Sequence, residues 1–377
     1  MSKPFFPAID HVHMAQALRL AERGLYTTQP NPRVGCVIAR GDAVLGIGWH
    51  PRAGEPHAEV FALREAGDAA RGATAYVTLE PCAHHGRTPP CADALIAAGI
   101  GRVVIAHEDP FAKVDGKGVE KLRAAGIGVQ LGLMRDAAHE INVGFFSRVQ
   151  RGRPWVRVKL AMSLDGRTAL ADGSSQWITG DAARADVQRW RARASAILSA
   201  SGTVLADDPR LTVRLPGGEP FVPPLRAILD TNLRTPVGAH VLDGDAPTVL
   251  LHAPDASVPD HLRDVRRVDI RRDEGGLDLR AALHWLAQQD VNEVHVEAGP
   301  VVCGALLAQG LADELLVYVA PVLLGHTARP MLALPPLDDM ASRWKLDIVD
   351  RRQVGDDTCL RMRPKEPHVA PAKAGAQ

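Results

Sequence analysis

Two cysteines and a histidine, each standing where a helix begins or a strand ends, restrict this 377-residue chain more than any other feature. His57-Ala58-Glu59 directly follows Pro56, and the apolar spacing after it predicts a helix over 57–66. A predicted strand over 74–79 runs into Glu80-Pro81-Cys82, and Cys91 opens the next predicted helix, 91–98, after Pro89-Pro90. Two thiolates and one imidazole form a three-ligand set, the way zinc is held when a fourth position stays open for water. Helix N-termini favour thiolate over thiol. Glu59 lies too far round the helix from His57 to share the ion, yet near enough to exchange a proton with water beside it. Any one of these residues alone reads as packing. A closed structural site would need a fourth protein ligand, for which His84 or His85 is at hand. Taken jointly the set predicts one catalytic zinc per chain.

Around this set the pattern alternates. A helix is expected over 10–25, strands over 34–39 and 43–49, a strand over 102–107, a helix over 117–125 and a strand over 127–131. Strands separated by helices of this length predict a sheet covered on both faces. The polar, turn-rich run Arg148 to Pro154 is the expected linker. A second α/β series follows, with strands over 155–161, 195–199, 225–229, 247–251, 293–297 and 314–320 and helices over 181–193, 278–289 and 303–310. Two unlike domains are therefore expected, 1–147 and 148–363, with a disordered tail over 364–377. Five cysteines in so long a chain do not make a disulfide framework. No apolar run reaches the roughly 20 residues that span a bilayer, and the N-terminus has no secretory pattern, so a cytoplasmic protein is expected. Forty-four basic side chains balance forty-four acidic ones, which argues against a polyanionic partner.

The second half has neither a G-x-G-x-x-G turn nor a P-loop. It does have a strand running into Glu297-Ala298-Gly299-Pro300-Val301-Val302-Cys303-Gly304-Ala305 and a helix, where free amides can meet phosphate oxygens. By itself that turn is common scaffolding.

The H-x-E plus P-C arrangement is a mark of zinc deaminases, which normally separate the two cysteines by two residues. Here eight intervene. Asn31-Pro32-Arg33-Val34-Gly35-Cys36-Val37-Ile38, His57-Ala58-Glu59 and the run from Glu80 to Cys91 together resemble the bifunctional deaminase–reductases of riboflavin biosynthesis, in which that longer spacing is usual. Lys159 to Thr168, Ser175 to Thr179 and Thr203 to Thr212 resemble the reductase half of the same family. The resemblance spans about residues 8 to 363. It implies a cytidine-deaminase-like α/β/α sandwich with a mixed sheet, followed by a dihydrofolate-reductase-like α/β domain. It implies zinc on His57, Cys82 and Cys91, with Glu59 catalytic, and NADPH in the second domain. Ala161, Trp177, Thr203, Asp207, Thr231 and the stretch Gly299, Pro300, Val301, Val302, Cys303, Gly304 and Ala305 would line the cofactor. Asn31, Ser175, Arg191, Leu211, Arg214 and Glu297 would line a pyrimidine ribosyl phosphate, with Arg191 and Arg214 clamping its phosphate. The implied sequence is hydrolytic deamination, then reduction of the ribosyl group. A competing reading, a nucleic-acid-editing deaminase with an appended binding domain, is opposed by the zero net charge and the long cysteine spacing. A third, a metal-stabilised scaffold without turnover, is separated by assay. Cys36 is expected in the core. His50, Asp109 and Lys113 are open between pocket and solvent or sheet end. Arg266-Arg267 and Arg271-Arg272 face either solvent or a second copy of the chain, which leaves a homo-oligomer open.

Overall fold

The computed structural model describes residues 5–83, 90–111 and 116–365. His84, His85, Lys113 and nearly all of the expected disordered tail lie outside the described residues. Two compact units divide the chain, Met1–Gly152 and Arg153–Gln377.

The first unit runs α1 (Ala8–Glu22), β1 (Gly35–Arg40), β2 (Ala43–Trp49), α2 (Ala58–Ala66), β3 (Thr74–Leu79), α3 (Cys91–Ala97), β4 (Arg102–His107), α4 (Lys117–Ala124), β5 (Gly128–Leu131), α5 (Arg135–Ile141) and α6 (Val143–Arg151). Its sheet has the order β2-β1-β3-β4-β5. β1 is antiparallel to both neighbours, whereas β3, β4 and β5 run parallel. Alternation along the strands feeds two cores. Cys36, Ile38, Val77 and Ile105 meet Ala58, Ala62, Leu95 and Leu122 of α2, α3 and α4. Val37, Tyr76 and Val104 meet Met14, Ala17 and Leu18 of α1 and Ala138 of α5. α2 lies hard against β2, because a Cβ on Gly46 or Gly48 would sit 2.2 Å or 2.1 Å from a carbonyl oxygen of that helix. The first four residues of the expected linker prove helical: Arg148 to Arg151 form the last turn of α6, which ends at Gly152 with φ 66°. Phe145 and Phe146, packed on Leu79, hold that helix down, an apolar contact that the polar run after it obscured.

The second unit runs β6 (Trp155–Ser163), β7 (Arg167–Ala169), α7 (Asp181–Arg193), β8 (Ala196–Ala200), α8 (Ser201–Asp207), β9 (Leu225–Leu229), β10 (Thr248–His252), β11 (Arg267–Asp269), β12 (Arg272–Asp273), β13 (Gly276–Leu277), α9 (Leu279–Gln288), β14 (Glu293–Val296), α10 (Pro300–Ala308), β15 (Glu314–Ala320), β16 (Arg329–Pro330), β17 (Leu346–Val354) and β18 (Asp357–Pro364). Nine strands form one sheet, β11-β10-β9-β8-β14-β6-β15-β18-β17. It is parallel from β11 to β15, and the β17–β18 hairpin adds antiparallel strands at its edge. Val156, Val158, Leu160, Val294 and Val296 join Leu283, Leu286, Leu306 and Leu307 in the main core. The alternate residues of the same strands, Arg157, Lys159, Glu293 and His295, point to the opposite face, under α7.

That face holds a buried ion cluster. Arg157 donates to Glu314 at 2.6 Å and to Glu293 at 3.0 Å, with all three side chains shut off from solvent. Arg361 and Arg363 approach Glu314 at 2.9 Å and 3.2 Å, and Trp190 lies over Arg157 at 4.5 Å. Burial pushes the Glu314 carboxyl up, but Arg157 and Arg361 outweigh it and hold it down to about 2, against a usual 4.5. A carboxyl depressed on folding stabilises the native state above its unfolded value and ceases to do so as pH falls through the folded one. Between about pH 4.5 and 2, Glu314 should therefore withdraw on the order of 3 kcal/mol from this unit. Glu314→Gln should be less stable at pH 7 and show a flatter acid limb in denaturant titrations. Parallel pH profiles for variant and wild type would refute this.

Candidate active sites in the two units

In the first unit the ligand side chains come from three chain segments that meet at the ends of α2, α3 and β3. His57 is the N-cap of α2, and Cys91 is the first residue of α3. The His57 Nδ1 atom lies 3.2 Å from Cys91 Sγ and 3.6 Å from Cys82 Sγ, and the backbone N–H of Cys91 donates to Cys82 Sγ at 3.3 Å. All three ligand atoms lie within 4.8 Å of one another. Cys82 is drawn down to about 4, first by the Cys91 thiol and then, against burial, by His57. The Cys91 thiol beside it is pushed up for the same reason, since a second negative charge there would face the first. A divalent cation removes that conflict. Glu59, in the first turn of α2, is buried, and its Oε2 has no hydrogen-bond partner among the described residues. An orphaned carboxylate oxygen beside an N/S/S donor set fits a zinc ion with water next to it.

Asn31 and His50 complete the neighbourhood. His50 Nδ1 donates to the Pro56 carbonyl at 3.1 Å, which leaves Nε2 to accept from the Asn31 amide at 3.1 Å. The His50 ring stands edge-on to His57 at 5.2 Å. Burial pulls His50 down, in keeping with a neutral ring. It therefore belongs to the site's wall and not to the open sheet end. Cys36 is fully buried, as expected of a core residue. Asp109 is buried too, accepting from Phe111 N–H at 2.9 Å.

Glu80 was missed in the sequence. Its two oxygens accept from the backbone N–H groups of Asp109, Gly116, Gly118 and Val119 at 3.0 to 3.3 Å, tying the chain after β4 to the residue that precedes Pro81-Cys82. A carboxylate directly before a P-C pair was the available signal.

In the second unit a cleft of about 1190 Å³ opens at the C-terminal ends of β6, β8, β9 and β14. Ala161, Trp177, Thr203, Asp207 and Thr231 line it. So do Gly299, Pro300, Val301, Val302 and Ala305 at the start of α10, and Ser175, Arg191, Leu211, Arg214 and Glu297. Cys303 and Gly304 do not. The Cys303 thiol donates to the Ala298 carbonyl inside the core, and a Cβ on Gly304 would meet the Ala333 carbonyl at 2.2 Å. The resemblance implies the whole stretch from Gly299 to Ala305, but α10 begins at Pro300, so by residue 303 one helix face already points inward.

Arg191 is more committed than expected. Its fork grips Glu297 at 2.5 Å and 2.9 Å, and its remaining nitrogen donates to the Thr212 carbonyl at 2.9 Å. Burial would raise the Glu297 carboxyl, but Arg191 holds it well below the usual range. Arg214 is exposed, with its backbone N–H tied to Gln188. Lys159, missed in the sequence, lines the same cleft from β6, and burial lowers its ammonium while Glu297 opposes the shift. A lysine inside the apolar run of a central strand was the signal for it.

Comparison with known proteins agrees with this division. Residues 7–107 match a family model for the cytidine and deoxycytidylate deaminase zinc-binding region, and residues 154–360 match the RibD C-terminal domain. The chain is 48% identical over 363 residues to the riboflavin biosynthesis protein RibD of Escherichia coli K12, covering 94% of this chain and 99% of that protein. It is 45% identical over 377 residues to RibD of Haemophilus influenzae, covering 96% and 99%. Among solved structures, Acinetobacter baumannii RibD superposes with a TM-score of 0.89 at 45% identity, covering 95% of this chain and 99% of that one. The deaminase/reductase of Thermotoga maritima superposes at 0.84 with 34% identity, covering 94% and 99%.

Proposed function

Since this chain belongs to the RibD family of bifunctional riboflavin-biosynthesis enzymes, we propose that its two sites divide the labour residue by residue as their geometry suggests. The enzyme is a zinc-dependent deaminase joined to an NADPH-dependent reductase. It removes an amino group from 2,5-diamino-6-ribosylamino-4(3H)-pyrimidinone 5′-phosphate by hydrolysis. It then reduces the ribosyl group to give 5-amino-6-ribitylaminouracil 5′-phosphate.

His57, Cys82 and Cys91 would hold the zinc. Bound there, zinc supplies the Lewis acidity that makes water nucleophilic near neutral pH. Glu59 takes the water's proton and returns it to the leaving amine, a role supported by its Oε2, which has no hydrogen-bond partner among the described residues. The Asn31 amide, held by the neutral His50 ring, faces the pyrimidine edge. Glu80 holds Asp109, Gly116, Gly118 and Val119 by their backbone N–H groups.

In the reductase, the backbone at Gly299 to Val302 and the flat face of Trp177 receive the cofactor, which supplies hydride. Arg214, whose guanidinium is exposed in the cleft, meets the substrate phosphate. Arg191 holds Glu297 in register in the free enzyme and engages the phosphate beside Arg214 when the substrate enters. Lys159 hands a proton to the ribosyl oxygen, a role supported by its place in the cleft wall on β6.

The zero net charge supports a small-molecule substrate over nucleic acid. No helix among the described residues is long and apolar enough to cross a membrane, which accords with a cytoplasmic enzyme. The free edge at β17, with Ile348 and Val349 exposed, supports a homo-oligomer.

The N/S/S set with the orphaned Glu59 oxygen carries this reading. Ammonia release and NADPH oxidation, recorded separately on the diaminopyrimidinone, test it. Both should be seen, with NADPH consumed only after ammonia appears. NADPH consumption without ammonia would overturn the order.

A further inference from the structure

His295 is an unexpected residue at the centre of a parallel sheet. It lies on β14 in register with Arg157 of β6 and Ile197 of β8, and it is fully shut off from solvent. It stands two residues before Glu297, so both side chains point to the face under α7. Its Nε2 lies 3.4 Å from Glu297 Oε1, and neither ring nitrogen has a hydrogen-bond partner among the described residues. Burial, with Arg191 and Arg157, opposes a charge on the ring more strongly than Glu297 favours one. A neutral imidazole thus separates two buried ion groups, Arg157 with Glu293 and Glu314 on one side and Arg191 with Glu297 on the other. A leucine would fill this place without leaving a polar ring unsatisfied, so packing alone does not account for the residue.

Glu297 Oε1 has donors on two sides. Arg191 Nε reaches it at 2.5 Å from α7, and His295 Nε2 stands behind it at 3.4 Å. An anionic substrate entering the cleft competes with Glu297 for the Arg191 fork. The carboxylate would then lose its only short hydrogen bonds from a side chain, and the donor left in reach is the imidazole.

Resting on the reading of Glu297 as a substrate-side carboxylate, we infer that His295 is a positioning residue for the reduction. With its proton on Nε2, it anchors Glu297 from inside the sheet and keeps the carboxylate aimed into the cleft when Arg191 engages the substrate. The role is confined to the reductase and concerns turnover, not cofactor capture.

Three variants of the full-length protein test this: His295→Leu, His295→Gln and Glu297→Gln. The readouts are kcat and KM for NADPH oxidation, NADPH binding by fluorescence, denaturant midpoint and ammonia release. Leucine removes the donor but packs well. Glutamine keeps an N–H near the Nε2 position but buries a larger unsatisfied amide. For His295→Leu, kcat should fall about 10- to 100-fold, the range for losing a hydrogen bond to a charged group. NADPH binding and ammonia release should stay at wild-type values. His295→Gln should recover kcat to within a few-fold of wild type while being the less stable variant. Activity and stability then rank in opposite orders, which a purely structural role does not produce. A wild-type kcat for His295→Leu, a glutamine variant as slow as leucine, or loss of NADPH binding along with turnover would each overturn the inference. If Glu297→Gln reduces at the wild-type rate, the reading of Glu297 fails and this one with it. If Glu297→Gln is slow and His295→Leu is not, only the inference about His295 fails.

Discussion

Glu59→Gln should stop ammonia release, by about 10²- to 10⁴-fold, the range for losing a positioned acid–base group, while the protein keeps one zinc per chain. The substitution is isosteric and leaves His57, Cys82 and Cys91 untouched. Glu59 makes no side-chain hydrogen bond through Oε2 that the fold would miss. Glu59 is 2% exposed, so the amide takes the place of a buried carboxyl. NADPH oxidation on the deaminated substrate should be unchanged, because that cleft is built wholly from the second unit. Cys91→Ser makes the contrast. Removing one soft ligand from a three-residue set should empty the metal site and abolish deamination together. The two variants therefore separate proton transfer from metal retention. Metal analysis alongside an ammonia assay decides the matter. Ammonia release by Glu59→Gln within a few-fold of wild type would remove Glu59 from the chemistry, and zinc loss in that variant would make it a ligand.

The deaminase site was legible because its chemistry is local. Pro56-His57-Ala58-Glu59 and Pro81-Cys82 each announce a helix start or strand end, and their spacing alone brings three ligands to one corner of the sheet. Glu80 stayed hidden for the opposite reason. Its work is done through four backbone N–H groups 29 to 39 residues away, so the carboxylate before Pro81-Cys82 marks the residue but not the groups that fold back to meet it. The reductase followed the same rule. The glycine turn before α10 was visible, whereas the Arg191–Glu297 pair joins residues 106 apart and Lys159 gains meaning only from its neighbours. Missed elements have a physical cause too. β17 carries the unbroken polar run Asp350-Arg351-Arg352-Gln353, with Arg352 answering the buried Asp186, and β18 carries Arg361 and Arg363, which answer the buried Glu314, so the apolar period that announces a strand is blurred. The last turn of α6 reads as linker because it carries Arg148 and Arg151, although Phe145 and Phe146 anchor the helix.

Arg191→Ala should cost the reductase more than a weakened phosphate contact. The guanidinium neutralises a carboxylate that is itself shielded from solvent, with Arg191 at 11% and Glu297 at 15% side-chain exposure. Removing one partner of such a pair strands the other, at about 3–5 kcal/mol. We expect that loss to appear as a fall of about 10²- to 10³-fold in kcat/KM for reduction, together with a lower denaturant midpoint. Glu297 is held well below its usual range only by its neighbours, chiefly Arg191. Without that cation burial prevails, and the carboxyl takes up a proton at higher pH than in the wild type. The reductase of Arg191→Ala should therefore regain rate as pH rises, a limb absent from the wild type. Arg191→Lys should not rescue, because one ammonium cannot make the two contacts at 2.5 Å and 2.9 Å while also reaching the Thr212 carbonyl. The double variant Arg191→Leu/Glu297→Leu supplies the last separation. It should be as stable as wild type or more so, since no charge is left unpaired, and it should still fail to reduce the substrate. Should the double variant turn over, or Arg191→Ala lose ammonia release in the same proportion as NADPH oxidation, the pair would have to be assigned to folding and its place in the reaction given up.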